Sequence, residues 1–249
     1  FKKLPLKLIE SENLIENKRV IKRCDEIEAI KKSCDIAQKA IKDALDEFKI
    51  NMSEKTLADN IERNAKKLGV EKIDFIIVVS GKRGALPHGR PTDKKIELGE
   101  LVTIDFGCIY KGYHSDITRT YGIGEVNLKL KEIYSIVKEA QQLGVSMIKP
   151  EINAKEIDKA VREYIKNRGF EEYFVHGLGH GIGIEGHEKP FLNEYESNVL
   201  KAGMVLTIEP GIYIPELGGV RIEDTILVTN NGCEILTTIS KEFEEIGLC

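Results

Sequence analysis

Leu98–Thr120 reads LGELVTIDFGCIYKGYHSDITRT, and its reading decides the fold. It describes two short strands joined by a Gly-containing turn, each carrying one aspartate, Asp105 and Asp116. The first strand, Leu101–Phe106, is an apolar, β-branched run bounded by Gly99 and Gly107. An unpaired carboxylate in such a strand would cost several kcal/mol to desolvate, and two brought together across a hairpin would repel. A cation resolves both problems, so further ligands are expected elsewhere in the chain.

They appear about a hundred residues later. Ala202–Gly211, AGMVLTIEPG, aligns with Leu98–Gly107, placing Thr207 on Thr103, Ile208 on Ile104 and Glu209 on Asp105. A following strand, Gly219–Thr225, carries Glu223, 14 residues beyond Glu209, as Asp116 lies 11 beyond Asp105. Upstream of each acid pair sits a histidine segment, LPHGRP (Leu86–Pro91) and HGLGHGIG (His176–Gly183). The pattern is that of two related halves facing each other across one metal site.

The rest of the chain agrees. Ile27, Ile30, Cys34, Ala37, Ile41, Leu45 and Phe48 form a helical stripe within Ile21–Phe48. Ser53 caps a second helix that Gly69 ends, Ile73–Val79 reads as a strand, and Ser80–Asp93 as a Gly/Pro loop. Leu128–Ile148 is a third helix stopped by Pro150; Asn153 with Glu156 predicts a capping box for a fourth, ended by Gly169. No linker divides the halves, so residues 19–249 are expected to be one domain with an internal duplication. Residues 1–18 read as a linker or the remnant of a missing N-terminal domain, and a start at Phe1 suggests a fragment or processed chain.

Composition excludes several functions. With 37 Lys+Arg against 41 Asp+Glu, interspersed and netting −4, nothing suggests nucleic acid or an anionic membrane surface. No apolar run spans a bilayer. Five cysteines (Cys24, Cys34, Cys108, Cys233, Cys249) without CxxC spacing read as reduced thiols of a cytoplasmic protein. The glycines of HGLGHGIG lack the phosphate-loop arrangement, and no GxSxG elbow is present.

At this point HGRPTD (88–93), DFGCIYKGYHSDITRT (105–120), HGLGHGIGIEGHEKP (176–190) and TIEPGIYIPELGGVRIED (207–224) together resemble the catalytic domain of the M24 metallopeptidases, over roughly Ile21–Ile246. Within that group the chain is most similar to the Xaa-Pro branch, prolidase and aminopeptidase P. The resemblance implies an α+β pita-bread fold, two pseudo-symmetric αβ halves around a curved antiparallel sheet. It makes Asp105, Asp116, His180, Glu209 and Glu223 the ligands of two divalent ions.

One imidazole and four carboxylates suit Mn²⁺ or Co²⁺, with Zn²⁺ or Fe²⁺ as alternatives. Two such ions about 3.5–4 Å apart can share a water and deliver hydroxide to the scissile carbonyl. The resemblance implies that Glu209 shuttles the proton from that water to the leaving amine. The resemblance gives His187 the tetrahedral intermediate and places His88 and His176 in the substrate pocket. Arg221 either supports a ligand carboxylate or holds a substrate carboxylate, and the substrate role is favoured. Thr118 and Thr207 are expected to tune ligand carboxylates or simply to favour strand; Tyr213 faces the pocket or packs.

The implied reaction is metal-dependent hydrolysis of the bond between an N-terminal residue and proline in a short peptide, by a homodimer. Methionine aminopeptidase is the rival, and a non-catalytic peptide-binding scaffold the alternative from another class. The segment after Glu209, with Arg221, separates the first rival.

Overall fold

The computed structural model describes residues 13–247. Residues 1–12, most of the expected linker, and Cys249 lie outside the described residues. A single helical turn, α1 (Glu16–Arg19), leads into α2 (Cys24–Asp46) and α3 (Glu54–Lys67). The expected stripe is the buried face of α2. Ala37 and Ile41 enter the core of the first half, and Ile30 and Cys34 enter a smaller cluster with Ile182 and Val205 of the second half. Each fully buried Ile contributes about 1.5–3 kcal/mol, so α2 joins the halves as well as covering one. Ser53 Oγ accepts from the Thr56 amide, as expected of the N-cap of α3.

Behind the first helix pair lies an antiparallel sheet, β1 (Lys72–Ser80), β2 (Leu101–Tyr110) and β4 (Ile117–Ile123), with β3 (Tyr113–His114) also on β2. The terminal strand β12 (Glu245–Ile246) adds to β4 in parallel. Strand periodicity explains how β2 is buried throughout yet carries an acid. Val102, Ile104, Phe106 and Cys108 face the core beneath α2 and α3, whereas Thr103 and Asp105 take the opposite face. There Asp105 pairs with Ile77 of β1 and Thr118 of β4.

The second half repeats the plan. Helices α4 (Leu128–Ser146) and α5 (Ala154–Lys166) precede a five-stranded sheet of β5 (Gly179–Gly181), β6 (Glu188–Leu192), β7 (Val205–Ile208), β10 (Asp224–Val228) and β11 (Cys233–Ile235). Its order is β11-β10-β7-β5-β6. A hairpin of β8 (Gly211–Ile214) and β9 (Gly218–Arg221) lies apart. The antiparallel pairing is thus shared among two five-stranded sheets and this hairpin.

Two details differ from the sequence reading. Asn153 caps α5 by accepting from the Lys155 amide, but the reciprocal Glu156 bond of a capping box is not among the described hydrogen bonds. The strand expected over Gly219–Thr225 breaks at Ile222–Glu223, where the Glu223 amide leaves its own sheet and donates to Thr118 O at 3.1 Å. The four described cysteines are free. Among the described residues no helix is long and apolar enough to cross a membrane.

Candidate metal centre

Both halves bring their acids to one cavity of about 470 Å³, lined by Asp105, Asp116, His180, Glu209 and Glu223 with His88, His176, His187 and Arg221. Each half contributes in the same way. Asp105 lies within β2 and Glu209 directly follows β7, while Asp116 and Glu223 each occupy a two-residue gap between strands. A gap frees the backbone to turn its side chain inward, and the strand that follows the second gap is tied to the first: Thr225 Oγ1 of β10 donates to Asp116 O at 2.7 Å. Asp116, His180 and Glu223 offer ligand atoms all within 4.8 Å of one another.

His180 comes from β5, which lies beside β7 because Gly179 has no side chain. A Cβ there would stand 2.0 Å from Thr207 O. The His180 Nδ1–H donates to Gly181 O at 3.0 Å, which leaves Nε2 facing Glu209 Oε1 at 3.2 Å and Asp116 Oδ2 at 3.7 Å. A fixed tautomer of this kind suits a metal ligand. Burial disfavours the imidazolium, but Glu209 holds the His180 pKa above its ordinary value. Burial likewise opposes the Glu209 carboxylate, yet the His180 hydrogen bond and charge bring its pKa down to about 2.

The remaining carboxyls are in the opposite situation. Burial first, and then repulsion from neighbouring acids, pushes Asp116 and Glu223 well above the carboxylate range. Asp105 is raised by burial as well, although Arg221 works against the shift. Asp105 Oδ1 and Glu223 Oε1 are buried with no hydrogen-bond partner. Orphaned acceptors among crowded, buried acids are what a divalent cation would satisfy. The donor set therefore fits hard divalent ions.

Thr118 and Thr207 hydrogen-bond two of the cavity carboxylates, Thr118 Oγ1 donating to Glu223 Oε2 at 2.7 Å and Thr207 Oγ1 to Glu209 Oε1 at 3.2 Å. Arg221 lines the cavity, but its donors are engaged within the protein. Nη2 donates to Asp105 Oδ2 at 2.6 Å, Nη1 to Tyr213 OH at 2.8 Å and to Pro87 O, and Nε to Thr118 Oγ1. This geometry favours the supporting role over the substrate-carboxylate role preferred from sequence. The chain of contacts continues, with the Tyr213 hydroxyl 2.8 Å from His176 Nε2 and His176 Nδ1 2.8 Å from Gly177 O. The Nδ1–H donates to the carbonyl, so Nε2 accepts from Tyr213. Burial lowers the His176 pKa, in keeping with a neutral ring.

Tyr213→Phe should therefore cost about 1–3 kcal/mol of stability, because it strands a buried Arg221 donor and His176 Nε2. Urea unfolding of both proteins checks this; equal midpoints and slopes would contradict it.

His88 and His187 are exposed on the cavity rim, and the His187 ring stacks on His180 with centroids 3.7 Å apart. Several residues carry no sequence signal for the site. Phe75, Ile77 and Phe191 add apolar walls and Asn193 a polar one. Arg119, 1% exposed, donates to the Glu223 carbonyl and to Asp224 Oδ1, pinning the gap that holds Glu223. The arginine after Ile-Thr in a strand reads as a solvated charge until its partners, about a hundred residues away, are known.

Three buried carboxylates, a partly exposed fourth and an imidazole, gathered between two αβ halves on one open cavity, are a donor set suited to a metallopeptidase. The chain belongs to metallopeptidase family M24, which it matches over residues 28–230. It is 51% identical over 232 residues to the Xaa-Pro dipeptidase of Pyrococcus furiosus, covering 93% of this chain and 67% of that protein. Among solved structures, the Xaa-Pro dipeptidase from Bacillus anthracis superposes with a TM-score of 0.96 at 46% identity, covering 98% of this chain and 69% of that one. The X-Pro aminopeptidase from Thermotoga maritima gives 0.93 at 39%, covering 96% and 68%. The chain thus spans about two thirds of the length of these proteins. Its fold is the pita-bread fold of these enzymes, and family membership implies divalent metal binding.

Proposed function

We propose that this chain is the catalytic domain, residues 19–249, of a cytoplasmic Xaa-Pro peptidase that cleaves the bond before proline in short peptides. The convergence of Asp105, Asp116, His180, Glu209 and Glu223 from both halves on one cavity carries the reading. The names of its relatives supply the substrate class. These five residues would hold two divalent ions, with Mn²⁺ or Co²⁺ the first to test. When bound, such a pair supplies Lewis-acid activation of a water and of the scissile carbonyl.

The chain's own residues do the rest. Glu209, kept ionised by His180, accepts the proton of the attacking water and passes it to the leaving amine. His187 and His88, on the rim, donate hydrogen bonds to the carbonyl oxygen as it gains charge, and His176 shapes the pocket wall. Arg221 holds Asp105 in place, and Phe75, Ile77 and Phe191 offer apolar surface to the proline ring.

Hydrolysis of Ala-Pro, an Arg-Pro-Pro tripeptide and a Met-Ala-Ser peptide, with Mn²⁺ or Co²⁺ and with chelator, tests this reading. Metal-dependent cleavage before proline alone is the expected result, and the preference between dipeptide and tripeptide separates dipeptidase from aminopeptidase. Release of Met alone would transfer the chain to the methionine aminopeptidases.

A further inference from the structure

Another buried charge cluster lies outside the carboxylate cavity, where the N-terminal segment crosses the loop that carries His187. Lys22 is 6% exposed, and its Nζ donates to Glu188 Oε1 at 2.7 Å. The other oxygen, Oε2, accepts from the Arg19 guanidinium and from the Glu185 amide. Burial lowers the Lys22 pKa, whereas Lys22 and Arg19 overcome burial to hold Glu188 below its usual range. A buried ion pair adds little net stability compared with apolar side chains of the same volume. Its contribution lies in where it fixes the chain.

The backbone around the pair is shaped to admit it. The Lys22 amide donates to Gly203 O at 2.8 Å, and Lys22 Nζ also reaches Val20 O. A Cβ on Gly183 would lie 2.8 Å from Glu188 Oε1 and 2.9 Å from Lys22 Cε. Residues 182–187 form the loop between β5 and β6, and Glu188 is its C-terminal anchor. On its other side the loop is held by the His114 amide, which donates to Gly183 O at 2.9 Å. His187 precedes Glu188 directly. Among the described hydrogen bonds none involves the His187 ring, so its position depends on its stack with His180 and on the loop's anchors.

We infer that Glu188, clamped by Lys22 and Arg19, is a positioning residue that keeps His187 over His180 at the mouth of the cavity. The clamp makes Arg19–Arg23, which enters the domain from its N-terminal side, part of the support of the catalytic loop. This rests on the proposed reading in which His187 faces the substrate.

The test uses Lys22→Met, Glu188→Gln and the double variant, each also in a His187→Ala background. Amide hydrogen exchange and Ala-Pro kinetics with Mn²⁺ are the readouts. In residues 182–188 exchange is expected to quicken about tenfold or more, with α4 and β10 unchanged. The kcat should fall about 10- to 100-fold at unchanged metal content. The double variant, free of an unpaired buried charge, should recover thermal stability but not kcat, and it carries the test if a single variant fails to fold. In the His187→Ala background the clamp variants should cost no further activity.

Unchanged exchange in residues 182–188 would overturn the inference. So would kcat losses that multiply with His187→Ala, the mark of a merely structural role. Should the parent chain cleave no Xaa-Pro peptide, the proposed activity fails, while the exchange readout still decides whether the clamp holds the loop.

Discussion

Glu209→Gln is expected to lower kcat for Ala-Pro by about 10²–10⁴-fold, the range of a positioned general base. The substitution keeps the shape of the side chain and removes its charge. In the parent chain burial opposes the Glu209 carboxylate, but His180, 3.2 Å from Oε1, brings its pKa down to about 2 and so favours the ionised form. Thr207 Oγ1 donates to the same carboxylate and holds its orientation. A glutamine can accept that bond but cannot take a proton from water at neutral pH. Metal content must be measured alongside, since Glu209 is also a proposed ligand. A loss of kcat at full metal loading assigns the proton-transfer role, and a loss that disappears with excess Mn²⁺ assigns ligation alone. Near-parental kcat without added metal would remove Glu209 from the mechanism.

Removing metal should produce the second large effect, on stability. Asp116 and Glu223 are raised well above the carboxylate range, first by burial and then by the charge of neighbouring acids, Glu223 foremost for Asp116 and Glu209 foremost for Glu223. In the unfolded chain the same groups ionise at their ordinary values. Between the ordinary and the raised pKa, the metal-free native state therefore binds more protons than the unfolded state, and stability falls as pH rises. Below the ordinary range both states are protonated and the penalty is absent. His180, also raised, acts in the same direction. Glu209, lowered, acts oppositely, but only as pH falls toward about 2.

A divalent ion replaces those protons and removes the repulsion, so its affinity should rise with pH. An ion present at about 1,000 times its Kd adds about 4 kcal/mol. Calorimetric Tm should thus drop on chelation, by more at pH 8 than at pH 5, and recover with Mn²⁺ or Co²⁺. A metal-free protein whose Tm ignored both pH and added ion would point to a scaffold with an unused site.

Much of this site is legible in the sequence because acids in apolar strands are costly. Asp105 sits in a run that alternates between two buried faces, and the aligned Thr-Ile-acid of residues 207–209 repeats it. An acid that cannot be solvated must be paired, and the repetition shows with what kind of partner. The helix stripes are legible for a similar reason: Ala37 and Ile41 must be covered, and their spacing places them on one side of α2. Capping was only half readable. Asn153 caps α5 from local geometry, whereas the expected reciprocal bond from Glu156 also depends on the side chain's choice of rotamer.

The sequence by itself determined the kinds of donor, their repeat across two halves and, for Asp105, the strand face on which it stands, since these follow from periodicity and from the cost of burying charge. Tertiary structure alone decided their partners. Arg221 shares a strand face with Glu223 by spacing, yet its Nη2 goes to Asp105, 116 residues away, and its Nη1 to Tyr213. Arg119 reaches the Glu223 carbonyl, and Lys22 reaches Glu188 across 166 residues. A guanidinium or ammonium binds whichever acceptor the packing of the two halves brings within about 3 Å of it. Periodicity constrains the direction of a side chain, but not what will be waiting there once the halves close.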